Sequence, residues 1–196
     1  MQNSLSRHNP QRKPKPKITI ILAGGKARRF GGQDKGEILI GGERLIDIIC
    51  DRLKPQSTEV MISATHDYGL GLTTIADIDN APGGPVGGIY SIWKSLESRN
   101  VEGFFTVPVD GPNLPDDLVS NLYSDANSAI ATDELGRHPT YAWWRMADLA
   151  RVWEHMDLAK SISLNKLADL AKAQEIVWER EDCFVNINYP SDLEYL

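Results

Sequence analysis

Ile18-Thr-Ile-Ile-Leu22-Ala-Gly-Gly-Lys-Ala-Arg-Arg-Phe-Gly-Gly-Gln-Asp-Lys-Gly36 is the stretch that decides the fold. Its first five residues form a short apolar, β-branched run, the pattern of a parallel strand buried on both faces. The run breaks into glycines with no polar alternation, so the strand ends abruptly in a loop. The same grammar recurs along the chain. Apolar runs at residues 59–63, 74–78, 104–109, 128–132, 140–144, 175–178 and 184–187 read as further strands. Helical periodicity separates many of them. Residues 43–53 place Leu45, Ile46, Ile49, Cys50 and Leu53 on one face. Residues 89–96, 116–123, 147–156 and 161–173 carry similar patterns, with Asp116 and Asp117 expected in the first turn of their helix. A Gly136-Arg-His-Pro139 turn is expected between the fifth and sixth strands. Strands alternating with helices specify βαβ units. The expected fold is α/β: a single-domain, three-layer, Rossmann-like arrangement on a mostly parallel sheet, spanning residues 18–196.

Composition narrows the partners. The chain has 196 residues and a formal net charge of −6. Residues 1–17 hold Arg7, Arg12, Lys13, Lys15 and Lys17 with no acid, so this tail carries +5 and the remainder about −11. The tail reads as a basic, disordered extension. An acidic body speaks against a nucleic-acid grip, which needs clustered Lys and Arg over a broad surface. Two distant cysteines, Cys50 and Cys183, offer neither a thiolate zinc site nor a disulfide framework. No stretch has the apolar length of a membrane span. These features fit a cytoplasmic protein with no membrane partner.

In α/β sheets, ligands collect at the carboxyl ends of strands near a topological switch point. Leu22–Gly36 packs five glycines and four cations into fifteen residues at such an end. Glycines let backbone N–H groups approach a polyphosphate, and Lys26, Arg28, Arg29 and Lys35 offset its charge. The loop is neither a P-loop nor a G-x-G-x-x-G dinucleotide fingerprint. Asp110 follows the run Phe104-Phe-Thr-Val-Pro-Val109, where a hard carboxylate suits magnesium beside phosphate oxygens, or else simply shapes its Asp-Gly-Pro bend. Asp77 could accept from a nucleobase, and the stretch Pro82-Gly-Gly-Pro-Val-Gly-Gly88 would let a base lie against backbone. A surface turn is the alternative there. Asn186 and Asn188 fall on one face of the expected last strand, placed to bond an acceptor or to satisfy a sheet end. No Ser/His/Asp or Cys/His arrangement emerges, and Trp143, Trp144 and Trp153 read as core.

Taken together, these segments resemble the molybdenum cofactor guanylyltransferase family of the nucleotidyltransferase superfamily. The resemblance runs through Leu22–Gly36, Asp77, Gly84-Pro-Val-Gly-Gly88, Val107-Pro-Val-Asp-Gly-Pro112, His138-Pro-Thr140 and residues 184–192. It implies an enzyme that binds GTP and Mg²⁺, joins GMP to molybdopterin and releases pyrophosphate. By position, Leu22, Ala23, Gly24 and Gly25 would meet the nucleotide through backbone, with Ser63 and Asp77 on the base side. Arg29 and Lys35 would hold the triphosphate, Asp110 would ligate the metal, and Asn186 and Asn188 would line the acceptor side. Family members often carry Asn where this chain has Ser63, Thr where it has Gly111, and Met where it has Phe30. A molybdopterin cytidylyltransferase, a sugar-1-phosphate nucleotidyltransferase or a non-catalytic nucleotide-binding subunit shares many of the same parts. The protein partners that such a role admits are molybdenum-insertion proteins and apo-molybdoenzymes.

Overall fold

The computed structural model describes residues 17–24, 26–27, 33–180 and 182–187. Seven strands form the central sheet: β1 (Ile18–Leu22), β2 (Glu59–Ser63), β3 (Thr74–Ile75), β4 (Gly103–Pro108), β5 (Ala129–Asp133), β6 (Gly136–Arg145) and β7 (Gln174–Val177). Their spatial order is β7-β5-β6-β4-β1-β2-β3. β1 pairs in parallel with β2 on one side and β4 on the other, in the register Leu22 to Ser63 and Leu22 to Pro108. Only β6 runs against its neighbours, antiparallel to both β4 and β5. The mostly parallel α/β expectation is thus met.

Helices cover both faces, as a doubly buried sheet requires. On one face α1 (Leu45–Leu53) and α3 (Leu118–Leu122) pack Leu45, Ile49, Leu53, Leu118 and Leu122 against Ile21, Ile62, Phe105, Val107 and Trp143. On the other, α2 (Pro85–Leu96), α4 (Met146–His155) and α5 (Leu164–Ala171) cover Ile18, Ile20, Met61, Phe104 and Trp144. Successive strand residues feed opposite cores, the period-2 geometry that makes an unbroken apolar run readable as a central strand. Trp143, Trp144 and Trp153 are all buried core residues. The five apolar positions expected on one face of α1 are its five buried residues.

Four local expectations are corrected. α2 begins at Pro85, inside the glycine-rich stretch, because Pro suits the first helical position and lacks only a donor that is unpaired there anyway. α3 is shorter than residues 116–123: Asp117 is its N-cap residue, makes no side-chain cap bond, and leaves no acid in the first turn. The segment 136–139 is strand, and the turn precedes it. Asp133 accepts the N–H groups of Leu135 and Gly136 at 2.9 and 3.2 Å, and the register slips between His138 and Ala142. Pro139 lies in that irregular stretch, as a residue without a ladder donor should. Residues 184–187 are not a strand; the chain there folds as a turn and irregular backbone. Among the described residues no helix is long and apolar enough to cross a membrane.

Candidate functional site

The ends of β1, β2 and β4 converge because their parallel registers align Leu22, Ser63 and Pro108. Beyond them the backbone stays stitched: Ala23 N–H donates to Ser63 O at 3.1 Å, and Val109 N–H to Leu22 O at 3.2 Å. Gly24 is exposed, and a side chain there would lie 3.8 Å from Ser63 O. Leu22, Ala23 and Gly24 therefore stand at the carboxyl ends of the central strands, where a sheet of this kind opens its ligand crevice. Gly25, Arg29 and Asn188 lie outside the described residues.

Lys35 and Asp110, 75 residues apart in sequence, meet in this crevice as an ion pair between the ammonium and Oδ2. Both side chains are largely shielded, at 19% and 13% exposure, so salt screens them less than a surface pair. Lys35 opens a short 3-10 turn, Lys35–Glu37, capped by Asp34, whose Oδ1 accepts Gly36 N–H at 2.9 Å. Tyr68 closes over that turn. Its hydroxyl donates to Asp34 Oδ1 at 2.8 Å and approaches Ala23 O at 3.3 Å. The ring occupies the space a side chain on Gly36 would fill, with Cε1 2.7 Å from that point. Burial and then the Asp34 hydrogen bond push the Tyr68 hydroxyl well above the ordinary phenol range. Arg44 binds Asp47 through two nitrogens at 2.7 and 3.0 Å and donates to Tyr68 O at 3.0 Å, holding this layer to α1.

Ser63 and Asp77 make a second corner. Ser63 is buried at the end of β2, while Asp77 is exposed two residues past the end of β3. A side-chain carbon on Gly88 would stand 3.7 Å from Asp77 Oδ1 and 3.9 Å from Ser63 Oγ. The second-turn glycine of α2 thus faces the gap between two polar side chains.

Asn186 completes a third side. Ile187 N–H donates to Asp110 O at 2.8 Å, tying the segment before the C-terminus to the Asp110 turn. Asn186 Oδ1 lies 3.5 Å from the side-chain position that Gly111 leaves empty. Tyr141 reaches the same point, and its phenol is held far above its usual range by burial and then by the charge of Asp110. His138 is turned elsewhere: its Nε2 stands 2.8 Å from Asp133 Oδ1 and its ring lies 4.8 Å from that of Phe184.

A sequence model of the MobA-like NTP transferase domain matches residues 19–174, which hold every corner of this crevice except Asn186. The chain belongs to the MobA-like NTP transferase family. A protein named molybdenum cofactor guanylyltransferase from Yersinia pseudotuberculosis is 34% identical over 188 residues, covering 91% of this chain and 94% of its own. Among solved structures, the molybdopterin-guanine dinucleotide biosynthesis protein A of Archaeoglobus fulgidus superposes with a TM-score of 0.66 at 18% identity, covering 91% of this chain and 95% of its own. A Mycobacterium tuberculosis protein solved in complex with manganese superposes at 0.65 with 12% identity, over 92% and 97% of the two chains. These structural likenesses speak for the fold, and the family makes the chain a nucleotidyltransferase. Sequence reasoning singled out Lys35, Asp110, Ser63 and Asp77, which the fold brings to neighbouring strand ends, but missed Tyr68, Asp34 and Tyr141. Their roles depend on contacts across 30 residues or more, Tyr141 with Gly111 and Tyr68 with Asp34, with no local signature beyond the Asp67-Tyr-Gly69 turn.

Proposed function

We propose that this MobA-like enzyme transfers GMP from GTP to the terminal phosphate of molybdopterin, yielding the guanine dinucleotide form and pyrophosphate. The meeting of Lys35 and Asp110 at the strand ends carries the proposal. An ammonium and a hard carboxylate side by side are what a metal-bound triphosphate needs. The name of the Yersinia relative supports the choice of guanine and of a molybdenum cofactor as acceptor.

The donor set bears on the metal. Among the described residues no group of three or more His, Cys, Asp or Glu side chains could cage an ion. Asp110 alone suits Mg²⁺, which keeps several waters and takes one or two carboxylates plus substrate phosphates. The manganese complex of the Mycobacterium protein fits a divalent ion on this fold. When bound, Mg²⁺ would neutralise charge on the departing pyrophosphate.

The chain's own residues do the rest. Lys35, sharing the role with Arg29 as the family resemblance implies, binds the triphosphate and leaves Asp110 to serve as a ligand. Leu22, Ala23 and Gly24 offer backbone to the nucleotide, and Ser63 and Asp77 address the base across Gly88. Asn186, with Asn188, orients the acceptor. A phosphate oxygen of molybdopterin forms a bond to the α-phosphorus while the bond from that phosphorus to the bridging β-phosphate oxygen breaks. A phosphate monoester is already anionic near neutral pH, so no strong base is required. Positioning and fixed charge lower the barrier.

The test is pyrophosphate release from GTP plus molybdopterin, together with thermal protection by each nucleotide with Mg²⁺. GTP should protect and turn over while CTP and UTP do neither. Equal protection by CTP would move the assignment to a cytidylyltransferase.

A further inference from the structure

The Asp110 turn holds a contact that the reaction described above does not use. Tyr141 sits on β6 beside the register slip, wholly buried. Its ring is wedged against Phe184 at 4.7 Å between centroids, and Phe184 is in turn packed edge-on to Trp178 at 5.4 Å. The ring therefore cannot swing away. Its hydroxyl oxygen lies 1.6 Å from the point where a Gly111 side chain would begin, so Gly111 and Tyr141 share one space. Asn186 Oδ1 lies 3.5 Å from that same point. Yet the hydroxyl has no hydrogen-bond partner among the described residues. A buried hydroxyl without a partner is costly, and cores rarely keep one without a use. A phenylalanine would fill the same aromatic pocket without that cost.

We propose that Tyr141 is a positioning residue: through the space vacated at Gly111, its hydroxyl braces the Asp110 turn and donates a hydrogen bond to Asn186 when the acceptor engages it. Phe184, Tyr141 and the Ile187-to-Asp110 bond then form one unit that sets the acceptor side relative to the Asp110 carboxylate. The direct contacts to the donor nucleotide at Lys35, Ser63 and Asp77 lie outside this unit, which meets the donor side only through the main chain of Asp110. The assignment of Asn186 to the acceptor rests on the function proposed above.

The experiment compares the wild-type chain with Tyr141→Phe, Gly111→Ser and the double variant. In the double variant the serine side-chain carbon starts 1.6 Å from where the phenol oxygen stood and 2.9 Å from the nearest ring carbon, so its hydroxyl opens into the same space. Tyr141→Phe should raise the KM for molybdopterin about tenfold, the loss of one hydrogen bond, while the KM for GTP stays within about twofold. The double variant should recover much of the acceptor KM. Gly111→Ser alone should lower the thermal midpoint, and Tyr141→Phe should relieve part of that loss. An unchanged acceptor KM in Tyr141→Phe would reduce the hydroxyl to a filler. A parallel rise in both KM values without rescue by serine would make it ordinary packing. If the wild-type chain turns over no GTP with molybdopterin, the proposed function fails by itself. The brace is then judged on the thermal midpoints, where strict additivity of the two substitutions overturns it.

Discussion

Gly87 and Gly88 are neighbours in the first turns of α2, and their replacement by alanine should push stability in opposite directions. A side-chain carbon on Gly87 would stand 2.2 Å from the carbonyl oxygen of Pro82, a backbone atom that cannot step aside without moving the turn. Such a clash costs about 1–3 kcal/mol or more, against which the helix propensity gain of alanine is about 1 kcal/mol. At 2.2 Å from a backbone atom the clash lies at the top of that range, so Gly87→Ala should lose about 2 kcal/mol net. At Gly88 the nearest heavy atoms are Asp77 Oδ1 and Ser63 Oγ at 3.7 and 3.9 Å, ordinary contact distances. Nothing opposes the propensity gain there, and Gly88→Ala should stabilise by up to about 1 kcal/mol, or roughly 2–4 °C in thermal midpoint. The new methyl group nonetheless enters the gap between Ser63 and Asp77, so GTP affinity should fall even as the fold becomes firmer. Thermal scans and calorimetric titration with GTP·Mg²⁺ read both quantities on the same samples. A stabilised Gly88→Ala that binds GTP as well as wild type would remove the base from this corner. A destabilised one would refute the packing argument itself.

Other perturbations separate the layers of the site. Tyr68→Phe deletes the hydrogen bond to Asp34; because Asp34 keeps the Gly36 N–H and is a third exposed, the cost should be about 1 kcal/mol, read as a urea midpoint. The same variant should weaken GTP binding severalfold by loosening the turn that carries Lys35. Asp148→Ala, remote from the site, leaves the buried Ser128 N–H and hydroxyl without the carboxylate they reach at 2.9 Å, and should cost about 3 kcal/mol. Asp67 accepts the N–H groups of Gly69 and Gly71, and these hold its carboxyl below the usual range. A depressed folded pKa stabilises above the unfolded value and loses that contribution as pH falls through the folded one. The gap in urea midpoint between wild type and Asp67→Asn should thus be full near about pH 6 and shrink below about pH 4.

The sheet was legible because central strands of a parallel sheet are apolar on both faces, and Ile18–Leu22, Glu59–Ser63 and Gly103–Pro108 announce that directly. Failures fell where a tertiary contact outweighs a local preference. Gly87 and Gly88 read as loop by propensity, but the helix accommodates them because one abuts Pro82 O and the other faces Asp77 and Ser63. Residues 184–187 alternate like a strand, yet the backbone of Ile187 is taken by Asp110 rather than by a sheet neighbour. Lys35 and Asp110 were findable singly, each as an unusual charge at a strand end. Tyr68 and Tyr141 were not, because their meaning lies in side-chain space left by Gly36 and Gly111 on distant segments.

The most direct measurement is the turnover of Asp110→Asn at saturating GTP, molybdopterin and Mg²⁺, followed as pyrophosphate release. The substitution keeps the shape and removes the charge that would hold the metal. A loss on the order of 10²-fold or more is predicted from removing one group that stabilises transition-state charge. Turnover near that of the wild type would take Asp110 out of the reaction, and with it the account of the crevice as a metal-assisted nucleotidyl-transfer site.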